Sequence, residues 1–126
     1  QEAVGRVVSL RPSVTIIAGD LFHSVRPSNT IVTFCFRQLR RLADGTKAPV
    51  ILIAGNHESP KRADTGCLLK LFGEIPGLYI ADMVSETFEF PELDLNVHCI
   101  PHAGLSNARD SRPRANSDFK FNILVT

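Results

Sequence analysis

The sequence predicts an α/β fold organised on a parallel sheet, and three observations carry that reading. Val14-Thr15-Ile16-Ile17-Ala18 and Val50-Ile51-Leu52-Ile53-Ala54 are apolar runs rich in β-branched side chains, each stopped by a glycine. Such runs read as strands buried on both faces. Between them lies a segment of helical spacing, so strand, helix and strand form a βαβ unit. Polar residues crowd the end of each run, as Gly19-Asp20-Leu21-Phe22-His23 and Gly55-Asn56-His57-Glu58. Two parallel strands side by side bring Asp20 and Asn56 to one edge of the sheet. Open α/β sheets bind ligands at the carboxyl ends of their strands, so chemistry is expected there.

Taken in order, residues 1–10 read as the end of a helix or its exit, with Val4, Val7, Val8 and Leu10 apolar, and Arg11-Pro12-Ser13 punctuates the chain before the first strand. Ser28 or Asn29 is the expected N-cap of the crossover helix. Ile31, Phe34, Cys35, Leu39 and Leu42 recur at helical spacing, Arg37, Arg40 and Arg41 make an exposed face, and Asp44-Gly45 ends the helix. Leu68, Leu69, Leu71 and Phe72 predict a short helix closed by Gly73, followed by a turn at Ile75-Pro76-Gly77 and a strand at Leu78-Tyr79-Ile80. The period then changes to two. Phe88 and Phe90, then Leu93, Leu95, Val97 and Cys99, alternate with polar residues about a Pro91-Glu92 break, as in an antiparallel hairpin with one apolar face. Residues 103–118 have no periodicity, carry Arg109, Arg112 and Arg114, and read as a mobile loop; residues 121–126 read as another buried strand.

Composition bounds the function without choosing it. The 126 residues are 44% hydrophobic and 21% charged, with a net charge of +1. These are ordinary globular values, and the charge neither demands nor excludes a polyanionic partner. Cys35, Cys67 and Cys99 sit in apolar surroundings without C-x-x-C spacing, as buried free thiols of a reducing cytosol do. No apolar run approaches membrane-spanning length and no signal-peptide pattern is present, so a cytoplasmic protein is expected.

An aspartate at a strand end can bridge two cations, an asparagine offers a neutral oxygen to one, and an adjacent histidine can donate a proton. Oxygen and imidazole donors suit manganese, iron or zinc. Two such ions hold an attacking hydroxide and neutralise charge on phosphate oxygens. Gly-Asp alone is a common turn and Asn-His alone is common surface chemistry. Their placement after two buried strands joined by one helix is far more specific.

Gly19-Asp20 followed by Gly55-Asn56-His57-Glu58 resembles two signatures of the calcineurin-like metallophosphoesterases. The longer stretch from Ala18 to His23, with Arg26-Pro27-Ser28, resembles their DNA-repair nuclease branch, the SbcD-like enzymes. The resemblance covers residues 14–59 and implies a two-sheet sandwich flanked by helices. It implies two divalent ions, manganese first and iron or zinc otherwise, with Asp20 as the bridging ligand and Asn56 as a ligand of one ion. His57 becomes the acid that protonates the leaving oxygen, and His23 helps to position DNA. The implied partners are DNA, an SbcC-like ATPase subunit and a second copy in a homodimer, with no membrane. The family's Asp-x-His and Gly-His-x-His signatures are not in the sequence, so residues 1–126 are expected to be a partial nuclease domain truncated at both ends and inactive by itself.

Other polar residues keep two readings. His98 falls on the polar face of its strand and reads as an exposed histidine. His102 follows Ile100-Pro101 at a strand end, where it either lines the cleft or belongs to a turn. Glu58 is either the acidic residue that follows the family's histidine or a cap of the next turn. Arg26 either meets a backbone phosphate or is a solvated loop residue. Three functions stay open: a DNA exonuclease or endonuclease, a phosphatase or small-molecule phosphodiesterase on the same scaffold, and a non-catalytic piece.

Overall fold

The computed structural model describes residues 2–24, 26–57, 68–105 and 113–126. Helix α1 (Glu2–Leu10) precedes β1 (Thr15–Ala18), α2 (Asn29–Thr46) and β2 (Val50–Ile53). A 3₁₀ turn (Leu68–Phe72) precedes β3 (Leu78–Ala81), β4 (Glu86–Phe90) and β5 (Leu95–Cys99), and a single helical turn α3 (His102–Leu105) precedes β6 (Phe121–Val125). The protein is α/β with two three-stranded sheets. In the first, β1, β2 and β3 run parallel in that order, with Ala18 opposite Ile53 and Ile53 opposite Ala81. In the second, β5 lies between an antiparallel β4 and a parallel β6.

Strand β2 explains the layering. Its four residues are all buried, and alternate side chains point to opposite faces of a sheet. Val50 and Leu52 join Leu39, Leu42, Leu69 and Phe72 in a core beneath the helices. Ile51 and Ile53 join Ala81, Phe90, Val97 and Cys99 in a second core between the sheets. Tyr79 closes the second layer edge-on to Phe88 and Phe90, at centroid distances of 5.5 and 5.0 Å. The layers are helix, parallel sheet and mixed sheet. Among the described residues no helix is long and apolar enough to cross a membrane.

Local chemistry sets the crossover helix. Ser28 is its N-cap, the hydroxyl accepting from the Ile31 N–H at 3.4 Å. The helix does not stop at Gly45. It continues to Thr46, and Lys47 closes it in the left-handed conformation, its N–H donating to the Ala43 carbonyl at 3.1 Å. Gly45 serves packing instead: a Cβ there would stand 2.9 Å from Val8 Cγ1, so glycine lets α1 rest on α2.

Other expectations change at the sheet edges. β1 is half-buried because it has one neighbour strand, β2. β6 is also an edge strand: Phe121 and Leu124 are each 53% exposed, and only Val125 is buried. β5 is flanked by a strand on each edge, and Asn96 is buried as well as Val97. Asn96 Nδ2 donates to Asn122 Oδ1 at 3.0 Å, and the same oxygen accepts from the Asn116 N–H at 2.8 Å. Asn122 Nδ2 returns bonds to the Asn116 and Phe119 carbonyls, both at 3.1 Å. Asn116 and Phe119, just before β6, are therefore tied to the sheet rather than free. The segment after β5 begins with the helical turn α3. His98 is half-buried rather than exposed, and its Nδ1 lies 2.7 Å from Thr87 Oγ1 on the paired strand. Cys67, Arg109 and Arg112 lie outside the described residues.

Cys99 sits fully buried between the sheets. Burial, and secondarily Glu86, push its thiol up to about 11 from 9.0. Burial also raises Cys35. A raised acid in the folded state favours the neutral form, so the Cys99 contribution is complete below about pH 9 and is lost as pH rises towards 11. Urea midpoints measured across that range should fall more steeply for the natural protein than for Cys99→Ala. Parallel pH profiles would contradict this environment for Cys99.

Candidate functional site

Because Ala18 pairs with Ile53, β1 and β2 end level and release both loops at one edge. Gly19 and Asp20 follow with φ of +84° and +52°. Glycine enters that region freely, and aspartate is one of the few residues with a side chain that do so readily. The turn lays Asp20 over Gly55. A Cβ on residue 55 would stand 2.5 Å from the Asp20 backbone nitrogen and would overlap the carboxylate. Glycine at 55 is thus a steric requirement of the second loop.

Asp20 Oδ1 lies 3.5 Å from the His57 backbone nitrogen and 3.8 Å from its Nδ1. One carboxylate oxygen therefore accepts from the His57 backbone N–H and faces its ring. The Asp20 and His57 side chains are 55% and 40% exposed, so a solute can reach both. The His23 ring stands edge-on to His57, with centroids 5.6 Å apart. A cleft of about 340 Å³ opens at this edge. The first sheet lines it with Asp20, Gly55 and Asn56, and the second sheet with His102, Leu105 and Thr126. The two walls are joined, since the His102 N–H donates to the Ala54 carbonyl at 3.1 Å.

Asp20 and Asn56 thus line the cleft, while His57 stands beside Asp20 and His23 beside His57. His102 takes the cleft-lining reading. Leu105 and Thr126 are not legible in the sequence as wall residues, because neither carries a motif and only the meeting of the sheets places them. Arg26 is exposed, its N–H donating to Ser24 Oγ at 3.2 Å, and it does not line the cleft. Glu58 lies outside the described residues.

An anionic oxygen, a neutral amide oxygen and nearby imidazoles form a donor set that fits manganese, iron or zinc. The fit is partial: among the described residues no three His, Cys, Asp or Glu side chains converge as a complete metal-holding group.

The fold and this edge define an α/β protein with an oxygen- and imidazole-lined strand-end site. The chain belongs to the calcineurin-like phosphoesterase family, whose sequence model matches residues 1–123. It is similar to the DNA double-strand break repair protein Mre11 of Methanococcus maripaludis, at 32% identity over 76 residues, covering 60% of this chain and 20% of that protein. It is similar to the SbcD component of the nuclease SbcCD of Bacillus subtilis, at 38% over 47 residues, covering 37% and 12%. Mre11 of Methanocaldococcus jannaschii matches at 29% over 59 residues, covering 47% and 16%. The chain spans a fifth or less of the length of these relatives.

The Asp20–Gly55 contact is directly testable. Gly55→Ala should destabilise the fold by about 1–3 kcal/mol, the usual cost of overpacking a close contact. An unchanged urea midpoint would show that the two loops are not pressed together.

Proposed function

We propose that the protein carrying these residues is a DNA nuclease that hydrolyses phosphodiester bonds with two divalent cations, Mn²⁺ foremost and iron or zinc as substitutes. The proposal includes a cytoplasmic setting, an SbcC-like ATPase subunit and a homodimeric assembly. One observation carries it: level strand ends place Asp20 and Asn56 on one cleft, with His57 drawn onto Asp20 and His23 against His57. The names of the relatives, which speak of DNA break repair and nuclease activity, favour DNA over other phosphoesters. A phosphatase or small-molecule phosphodiesterase would use the same Asp20, Asn56 and His57.

In this proposal Asp20, as the shared ligand, and Asn56, as a ligand of one ion, would be the residues of this chain that hold the cations. Bound cations supply charge that favours hydroxide attack on the phosphate. His57 holds the proton that goes to the leaving oxygen, and its exposed ring is open to the substrate. His23 stands edge-on to that ring and helps to position DNA. These residues form one part of a catalytic domain, because they offer only part of a two-ion ligand set.

Under Mn²⁺, the full-length protein should degrade single-stranded DNA faster than it releases phosphate from nucleotide monoesters. Efficient monoester turnover with intact DNA would replace the nuclease reading by the phosphatase one. Asp20→Asn should weaken Mn²⁺ binding, seen by calorimetry. His57→Leu should keep the ions and slow hydrolysis by about 10²–10⁴-fold, the usual effect of a lost general acid. Equal metal loss in both variants would mean the two roles are misassigned. Residues 1–126 alone should not bind two Mn²⁺ tightly, since water would fill most positions; stoichiometric tight binding would contradict this.

A further inference from the structure

The two walls of the cleft differ in chemistry. The first-sheet wall carries the Asp20 carboxylate and the Asn56 amide, which suit cations and a phosphoryl group. The wall from the second sheet carries the His102 imidazole, the Leu105 isobutyl group and Thr126, and Leu105 is left 47% exposed. A phosphoryl group alone has no use for exposed apolar surface; an organic group attached to it does.

This second wall is fixed in place. His102 and Leu105 lie three residues apart on α3 and so share a face. Gly104 turns the other way, buried, and a Cβ there would meet Pro101 Cδ and Ser85 Oγ at 3.5 Å. The Gly104 N–H donates to the Pro101 carbonyl at 2.8 Å, the His102 N–H to the Ala54 carbonyl at 3.1 Å, and the Ile100 N–H to the Val125 carbonyl at 2.8 Å. α3 is thereby tied to β2 on one side and β6 on the other. His102 is exposed, and its ring lines the cleft. A volume of about 340 Å³ lies at the lower end of small-ligand sites, enough for a single nucleotide unit.

From this juxtaposition we infer that the His102–Leu105 face is the subsite for the nucleoside attached to the scissile phosphate. Leu105 packs on its sugar or base, and the His102 ring hydrogen-bonds to its polar edge. This inference rests on the nuclease reading and adds to it the group that separates nucleic-acid diesters from small phosphodiesters.

The test compares kcat/KM of the full-length protein for a single-stranded oligonucleotide and for methyl p-nitrophenyl phosphate, a diester with no nucleoside. Leu105→Ser and His102→Ala should each lower the ratio of the two by about tenfold, the order expected for one apolar or hydrogen-bonding contact. Most of the change should appear in KM for the oligonucleotide, and Leu105→Met and His102→Gln should restore much of the ratio. A purely structural role would move both substrates together, so an unchanged ratio overturns the inference. Asp20→Asn separates the two levels of failure. If it abolishes both activities while the ratio stays fixed in the Leu105 and His102 variants, only the subsite is wrong. If it leaves both activities intact, the reading of the cleft as a phosphodiesterase site fails with it.

Discussion

The close approach of Asp20 and Gly55 is the contact on which the rest of the edge depends. Two successive left-handed residues fold the chain back after β1, and the space they need is the space a Cβ at position 55 would occupy. The level ending of β1 and β2 brings these backbones opposite each other. The carboxylate is consequently positioned by backbone geometry and not by a long flexible stem. Its Oδ1 then draws in His57, and His57 supports His23. Ordering these polar groups in advance matters because side-chain freedom lost at binding is subtracted from affinity.

The sandwich explains how a second, chemically different wall reaches the same place. β2 is buried on both faces, so it can pack on helices and on another sheet at once. β5 and β6 run parallel and end together, with Cys99 opposite Val125, and deliver His102 and Thr126 to the cleft. The bond from the His102 N–H to Ala54 locks one sheet's strand end to the other's.

The interior strands were legible because a continuous apolar run of five residues, closed by glycine, fits little besides a strand covered on both faces. β2 and the βαβ unit follow from such runs, and with these the shared edge of Asp20 and Asn56. Position relative to neighbours was less legible. β1 and β6 carry the composition of buried strands, yet strand order leaves each with one neighbour. Asn96 looks like an outward polar residue, but β6 covers it and Asn122 accepts from its amide, in a network that reaches back to Asn116. Gly45 reads as a stop because glycine often ends helices, whereas the approach of α1 is its reason. The cleft shows the same division. Asp20, Asn56 and His57 carry a motif, whereas Leu105 and Thr126 are ordinary residues made into a wall by tertiary contact.

Exposure at the site sets the remaining constraint. Asp20 and His57 are about half open to water, so their mutual attraction is screened and gives little stability of its own. The edge is held by backbone hydrogen bonds, the Gly55 contact and the two apolar cores, which do not rely on that side-chain contact. Stability and chemistry are therefore carried by different atoms. Replacing a carboxylate or an imidazole here removes a functional group from an already formed cleft, whereas adding one methyl group at Gly55 changes the cleft itself.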